Sequence, residues 1–215
     1  MSNPPEPAGA PAGQRTLDEG TIGPNWLSQF QQWLEEAVAA GLAEPTAMVL
    51  ATADARARPS ARMVLMKGLD ERGFVFYSNR TSRKGADLAA NARASLVFPW
   101  HAMRRQVIVD GDVEVLDEQS SDEYFASRPY GSQLGAHASR QSTVIASRAV
   151  LDAARSRAEA SYPPGTQVPR PDRWGGWRVE PDTVEFWQGR SDRLHDRLRF
   201  RREQGERWVL ERLSP

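Results

Sequence analysis

Five short runs between residues 47 and 116 are AMVLATADA, ARMVLMKGL, GFVFYSN, ASLVFPW and RQVIVDGDVEVL. They are rich in β-branched and aromatic residues and bounded by turn residues, which commits this chain to a sheet. Arg56 to Pro59 turn the first run into the second, a hairpin. Glu71, Arg72 and Gly73 turn the chain again, so the first three strands read as a meander. Further on, WGGWRVEP, TVEFWQ, a basic LRFRRE and RWVLERL read as separate strands. Helical spacing is confined to a few segments. Asn25 can cap a helix carrying Trp26, Leu27, Phe30, Trp33 and Leu34, and Ser82 can cap one over 83–90. Helices over 117–127 and 146–161 complete the set, with YGSQLGAHASRQS between them reading as a polar loop. Strands dominate and parallel crossover units are few, so the expected fold is mainly β with peripheral helices, an antiparallel barrel. Residues 1–24 hold five prolines and four glycines with almost no large apolar side chains. They are expected to form a flexible tail ahead of one domain over 25–215.

Composition excludes several classes of function. Lys plus Arg and Asp plus Glu are both 28, so no global field draws the chain to nucleic acid or an acidic membrane. Of the arginines at 199, 201 and 202, the first two alternate along a strand, which reads as one solvated face rather than a nucleic-acid surface. Cysteine is absent, which excludes disulfides, thiolate metal sites and a cysteine nucleophile, and fits a reducing compartment. No apolar run approaches the ~20 residues of a membrane span, and the start lacks the pattern of a signal peptide, so a soluble cytoplasmic protein is the expectation. The histidines, His101, His137 and His195, have no carboxylate at metal-ligand spacing, and no metal site is expected. GxGxxG after a strand, GxxxxGK[ST] and GxSxG are all missing.

What remains is local recognition of anions. Ser78, Thr81, Ser82, Arg83 and Lys84 stand at a strand end and helix start, where free backbone N–H groups and adjacent cations make a phosphate cradle; an ordinary capped helix is the alternative. Arg62 and Lys67, five apart on a strand, point to opposite faces and serve two anions or none. Tyr124 and Arg128, four apart, share a helical face where they converge on one phosphate or stack on each other, with Ser132, Gln141 and Ser142 beyond them. The densest stretch is WQGRSDRLHDR, residues 187–197: either a charged strand and turn facing water, or the arginines and His195 gathered around an anionic ligand.

In order, EPTAMVLATAD, RMVLMKGLDERGFVFYSN, SRKGADLAAN, ASLVFPWH, RQVIVDGDVE, YFASRPYGSQLGAHASRQS, WGGWRV, VEFWQGRSDRLHDR and RLSP resemble the pyridoxamine 5′-phosphate oxidase family over about residues 26 to 215. The resemblance implies an FMN-binding split β-barrel, assembled as a homodimer with two active sites at the subunit interface. It assigns the FMN phosphate and ribityl chain to Arg62, Arg83, Lys84, Gln141 and Ser142. Met63, Val64, Leu65, Met66, Lys67, Tyr77 and Ser78 would line the flavin, and Gln106, Trp187 and Arg197 would reach its ring system. Lys67, Tyr124, Arg128 and Ser132 would clamp the substrate phosphate. Arg193, Leu194 and His195 would contact the pyridine, with Arg193 and His195 catalytic. The implied reaction oxidises pyridoxamine or pyridoxine 5′-phosphate to pyridoxal 5′-phosphate while dioxygen becomes hydrogen peroxide. A related flavin oxidase of phenazine biosynthesis and a split-barrel protein that binds flavin or pyridoxal phosphate without turnover are the competing readings. Lys67 and the spacing from Arg128 to Ser132 favour the phosphorylated vitamer. Some family members carry a basic, tyrosine-bearing lid before the first helix; here the tail offers only Arg15, so its removal is expected to leave turnover nearly intact.

Overall fold

The computed structural model describes residues 16–204 and 207–215. Helix α1 (Trp26–Ala39) starts where Asn25 Oδ1 accepts from the Ser28 N–H at 2.9 Å. Its 3.6-residue spacing buries Trp26, Phe30, Trp33 and Ala37 on one face. That face meets the inner side of a nine-stranded sheet, where Phe30 contacts Phe74, Phe98 and Trp100 at ring distances of 4.8–5.7 Å. Strands β1 (Ala47–Ala53), β2 (Pro59–Leu65), β3 (Gly68–Asp70), β4 (Gly73–Asn79), β5 (Arg93–Trp100), β6 (Arg105–Val115) and β7 (Trp174–Gln188) run in the order β2-β1-β5-β6-β7-β4-β3. Strands β8 (Asp196–Arg202) and β9 (Trp208–Arg212) extend from β7, and every pairing is antiparallel.

The expected hairpin of β1 and β2 forms, and of the rest of the meander only the short β3–β4 hairpin across the turn at 71–73 survives. The free edge of β1 is taken by β5, and β4 pairs with β3 and β7. The expected second strand breaks at Met66 and Lys67, because the Met66 N–H donates to Thr46 and the Lys67 N–H to Val75. WGGWRVEP and TVEFWQ fuse into the 15-residue β7. This strand pairs β6 along its length, β4 through residues 174–179 and β8 through 183–188, changing partners around Pro181, which has no N–H to donate. A register shift at Gly111 faces that point, and a Cβ there would lie 2.0 Å from the Glu180 carbonyl.

Four further helices pack on the barrel: α2 (Arg83–Ala90), α3 (Glu118–Ser127), α4 (Tyr130–Ala138) and α5 (Arg148–Ser161). Helix α4 occupies the stretch expected to be a loop. Gly131 and Gly135 weaken its helical signal, but Leu134 is fully buried and the Gln133 amide donates to Phe125 and Ala126, so packing outweighs propensity. The expected tail also differs where it is described. Leu17 is buried, Ile22 packs on the core, and Arg212 binds both Glu19 and the Leu17 carbonyl, so residues from Thr16 on are fastened to the barrel. Residues 1–15 of that expectation lie outside the described part.

Candidate active site

A cleft of about 980 Å³ opens between β2, the end of β4, α2, α3 and the loop after α4. Arg62, Met63, Val64, Leu65, Lys67, Tyr77, Ser78, Arg83, Lys84, Tyr124, Arg128, Ser132, Gln141 and Ser142 all line it. Met66 does not; it is buried in the core. Lys67 reaches the same cleft as Arg62, against the opposite-face expectation, because the break after β2 resets the alternation of side chains. Arg128 is not on a helical face with Tyr124 either. It is the extended residue that ends α3, yet both side chains line the cleft.

Lys84 and Arg128 are held here by neutral groups, while Arg62 has the Asp87 carboxylate at 3.7 Å. Lys84 is 5 % exposed, and its ammonium donates to Ser78 Oγ at 3.0 Å, Ser82 Oγ at 3.2 Å and Gln141 Oε1 at 2.8 Å. Burial, with Arg62 nearby, lowers its pKa to about 8. Burial also lowers the pKa of Arg62, a tendency that Asp87 opposes. The Arg128 guanidinium lies 4.7 Å over the Trp174 ring, and its buried Nη1 has no hydrogen-bond partner. Burial raises the pKa of Tyr124, so it stands as a neutral phenol able to donate. Elsewhere many arginines pair with carboxylates, for instance Arg93 with Asp112, Arg170 with Asp122 and Arg199 with Glu211. Buried cations lacking such partners, with one donor orphaned, suit a dianionic ligand. At the mouth of α2, Ser82 caps the helix and Gly85 is obligatory, since a Cβ would meet the Arg80 carbonyl at 2.1 Å.

The remaining assigned residues form a second group. Gln106 faces Trp187 across β6 and β7, and Trp187 faces Arg197 across β7 and β8. Gln106 and Trp187 line a smaller cleft of about 240 Å³ with His101, Arg104 and Arg105. The His195 ring lies 4.7 Å from that of Trp187, and the Arg190 N–H donates to His195 Nδ1 at 3.1 Å. A neutral His195 therefore keeps its proton on Nε2 and offers it as a donor. Arg193 and Leu194 are exposed, and Asp192 and Arg193 both take left-handed backbone conformations. Arg190 pairs with Asp196 at 3.1 Å, and Glu185 holds Arg197 through two hydrogen bonds of 2.7 and 2.9 Å. Trp174 lines the first cleft and Trp187 the second, and the intervening stretch of β7 sets them roughly 40 Å apart along the strand at ~3.3 Å per residue.

Trp174 and Asp87 are site residues that sequence reading missed. Trp174 stacks with Tyr77 and Tyr124 at 5.5 and 6.1 Å and carries Arg128. Its signal was the pair of glycines after it. A Cβ on Gly175 would lie 2.5 Å from the Arg80 guanidinium, and one on Gly176 2.6 Å from the Tyr77 ring. Asp87 stood unremarked in SRKGADL, since an acidic residue on a short helix carries no signal of its own.

Barrel and cleft together define a class, an antiparallel split-barrel protein with a cleft lined by basic side chains. Residues 34–162 match the family described as pyridoxamine 5′-phosphate oxidase, and 174–215 match the pyridoxine 5′-phosphate oxidase C-terminal dimerisation region. The chain belongs to the pyridoxamine 5′-phosphate oxidase family. Curated relatives named pyridoxine/pyridoxamine 5′-phosphate oxidase include one from Salinispora arenicola, 55 % identical over 93 % of this chain and 90 % of its own length. Another, from Paraburkholderia phymatum, is 54 % identical over 93 % of each. Among solved structures, PhzG from Burkholderia lata 383, in complex with tetrahydrophenazine-1-carboxylic acid, superposes with a TM-score of 0.82 at 34 % identity, covering 87 % of this chain and 91 % of its own. A pyridoxamine 5′-phosphate oxidase-related, FMN binding protein from Nostoc punctiforme shares the fold, with a TM-score of 0.72 at 15 % identity over 91 % of this chain and all of its own. Among the described residues no helix is long and apolar enough to cross a membrane.

Proposed function

We propose that this chain is an FMN-dependent oxidase that converts pyridoxamine or pyridoxine 5′-phosphate to pyridoxal 5′-phosphate in the cytoplasm, acting as a homodimer. The observation that carries the reading is the first cleft, where Arg62, Arg83, Lys84 and Arg128 gather with Asp87 as the carboxylate set against them. Two phosphates, one on the cofactor and one on the substrate, would satisfy that excess of charge. Arg62, Arg83, Lys84, Gln141 and Ser142 would hold the cofactor phosphate and ribityl chain. Lys67, Tyr124, Arg128 and Ser132 would hold that of the substrate. Bound FMN would supply the two-electron sink and pass the electrons to dioxygen, giving hydrogen peroxide. The alcohol substrate loses one hydrogen from C4′ and one from its hydroxyl; the amine loses one from C4′ and one from nitrogen, then takes up water and releases ammonia.

The chain's own task is to position and to exclude water. Gln106, Trp187 and Arg197 would meet the flavin ring system, Arg193 would cover the pyridine, and His195 would donate from Nε2 to orient it. The separation along β7 is larger than one such ligand pair, which supports a site completed by β7 and β8 of a second copy. The match of residues 174–215 to a dimerisation region supports the same arrangement. The deciding experiment is aerobic conversion of pyridoxine 5′-phosphate by the purified FMN-loaded protein, followed as aldehyde, with unphosphorylated pyridoxine as control. Aldehyde from the phosphate ester alone supports the reading. Bound FMN with no aldehyde would sink it, and oxidation of a reduced phenazine carboxylate instead would favour the phenazine oxidase.

A further inference from the structure

We propose that Asp87 is a positioning residue for the cofactor phosphate, acting through two hydroxyls on Arg62; this rests on the FMN reading above. Asp87 is buried on α2, where its Oδ2 accepts from Thr52 Oγ1 at 2.6 Å and from Ser60 Oγ at 2.7 Å. A hydroxyl has one proton, so both are committed to the carboxylate. The oxygens of Thr52 and Ser60, 3.2 Å apart, are then left with lone pairs only. Arg62 takes up both: Nη1 donates to Thr52 Oγ1 at 2.7 Å and to the Leu50 carbonyl at 3.2 Å, and Nη2 donates to Ser60 Oγ. The direction of every bond follows from the carboxylate, which also lies 3.7 Å from Arg62 Nη2. Three donors of Arg62 are thereby fixed, and the other two remain for a ligand in the cleft that Arg62 lines.

Charge sharpens the argument. Burial works against ionisation of Asp87, yet the Thr52 and Ser60 hydroxyls and the charges of Arg62 and Arg83 outweigh it and hold its pKa below the usual carboxylate value. With Arg62, Arg83 and Lys84 positive and Asp87 negative, the cradle carries a net charge of about two, equal and opposite to a phosphate dianion. Removing the negative charge would by itself tighten binding of an anion. A variant that binds the anion more weakly therefore reports lost positioning rather than lost attraction.

The test compares FMN with riboflavin, which lacks the phosphate, by quenching of flavin fluorescence on titration with apoprotein. For Asp87→Asn the expected result is FMN affinity lowered by about tenfold with riboflavin affinity unchanged. Thr52→Val breaks the relay without altering charge and is expected to show the same FMN-selective loss. Equal or tighter FMN binding by Asp87→Asn, or an equal loss for both flavins with a lowered Tm, overturns the assignment. Wild-type protein that retains no FMN overturns the cofactor reading itself, whereas FMN bound equally by wild type and variant defeats the role of Asp87 alone.

Discussion

The first cleft and the second group of residues, on β6, β7 and β8, handle their cations differently. In the cleft, Lys84 is buried against neutral acceptors and Arg128 rests on Trp174 with a donor unused. In the second group, Arg197 is tied to Glu185, while Arg193 is exposed beside Leu194, which is 71 % exposed. One region packs its cations within the chain, while the other exposes an apolar side chain and a cation to solvent. A region built inside one chain can be organised by that chain's own packing. In the proposed dimer the second region completes a site on another copy and would acquire its surroundings only on assembly, which accounts for its exposure in a single chain.

Substitutions in each region separate their roles. The largest effect is expected for Arg193→Ala. It should lower kcat/KM by about a hundredfold, ~2.7 kcal/mol of transition-state stabilisation, while FMN stays bound; unchanged steady-state kinetics would remove Arg193 from the substrate. Arg128→Ala comes next, raising KM for the phosphorylated substrate by about tenfold with a smaller change in kcat. An effect on kcat alone would show that Arg128 does not bind the phosphate.

Lys84 gives the first cleft a pH signature. Its pKa is lowered to about 8, so above that pH the empty cradle loses a charge while the cofactor phosphate, dianionic above ~6, keeps its own. FMN affinity measured by fluorescence should fall as pH rises through 8, and Lys84→Met should flatten the profile. Folding has the opposite sign. Between pH 8 and the ordinary lysine value the unfolded chain binds more protons, so the contribution of Lys84 to stability rises with pH. The smallest effect on turnover is expected from deleting residues 1–24. Loss of Leu17 from the core and of the Glu19–Arg212 pair should lower Tm by several degrees, while protein that remains folded turns over nearly normally. A collapse of kcat at a temperature where the variant is folded would give the segment a part in the chemistry.

Local chemistry made much of this readable. Period-two alternation placed the strands, and Asn25 and Ser82 marked two helix starts that both structure and cap confirm. Pairing was less accessible, because alternation tells which face a residue takes and not which strand lies beside it. Hence β4 keeps only the short β3 of the expected meander on one side and lies against β7 on the other. Helix α4 was hidden because its glycines are outweighed by the burial of Leu134, a tertiary effect. In the site, the residues assigned from the family resemblance fall into two separate groups, and their unpaired cations became visible only once carboxylate partners could be counted elsewhere. Asp87 and Trp174 act on other side chains, and no motif announces such indirect work.

Strand β7 carries Trp174 at one end and Trp187 at the other, so each chain of the proposed dimer gives one wall to its own site and one to its neighbour's. At FMN concentrations too low to load the Lys84 variant, two inactive proteins, one lacking Lys84 and the other Arg193, would then rescue each other when their subunits are exchanged. Every mixed dimer would hold one site with both defects and one with none. Random mixing in equal amounts would restore about a quarter of the wild-type activity from two preparations that have almost none.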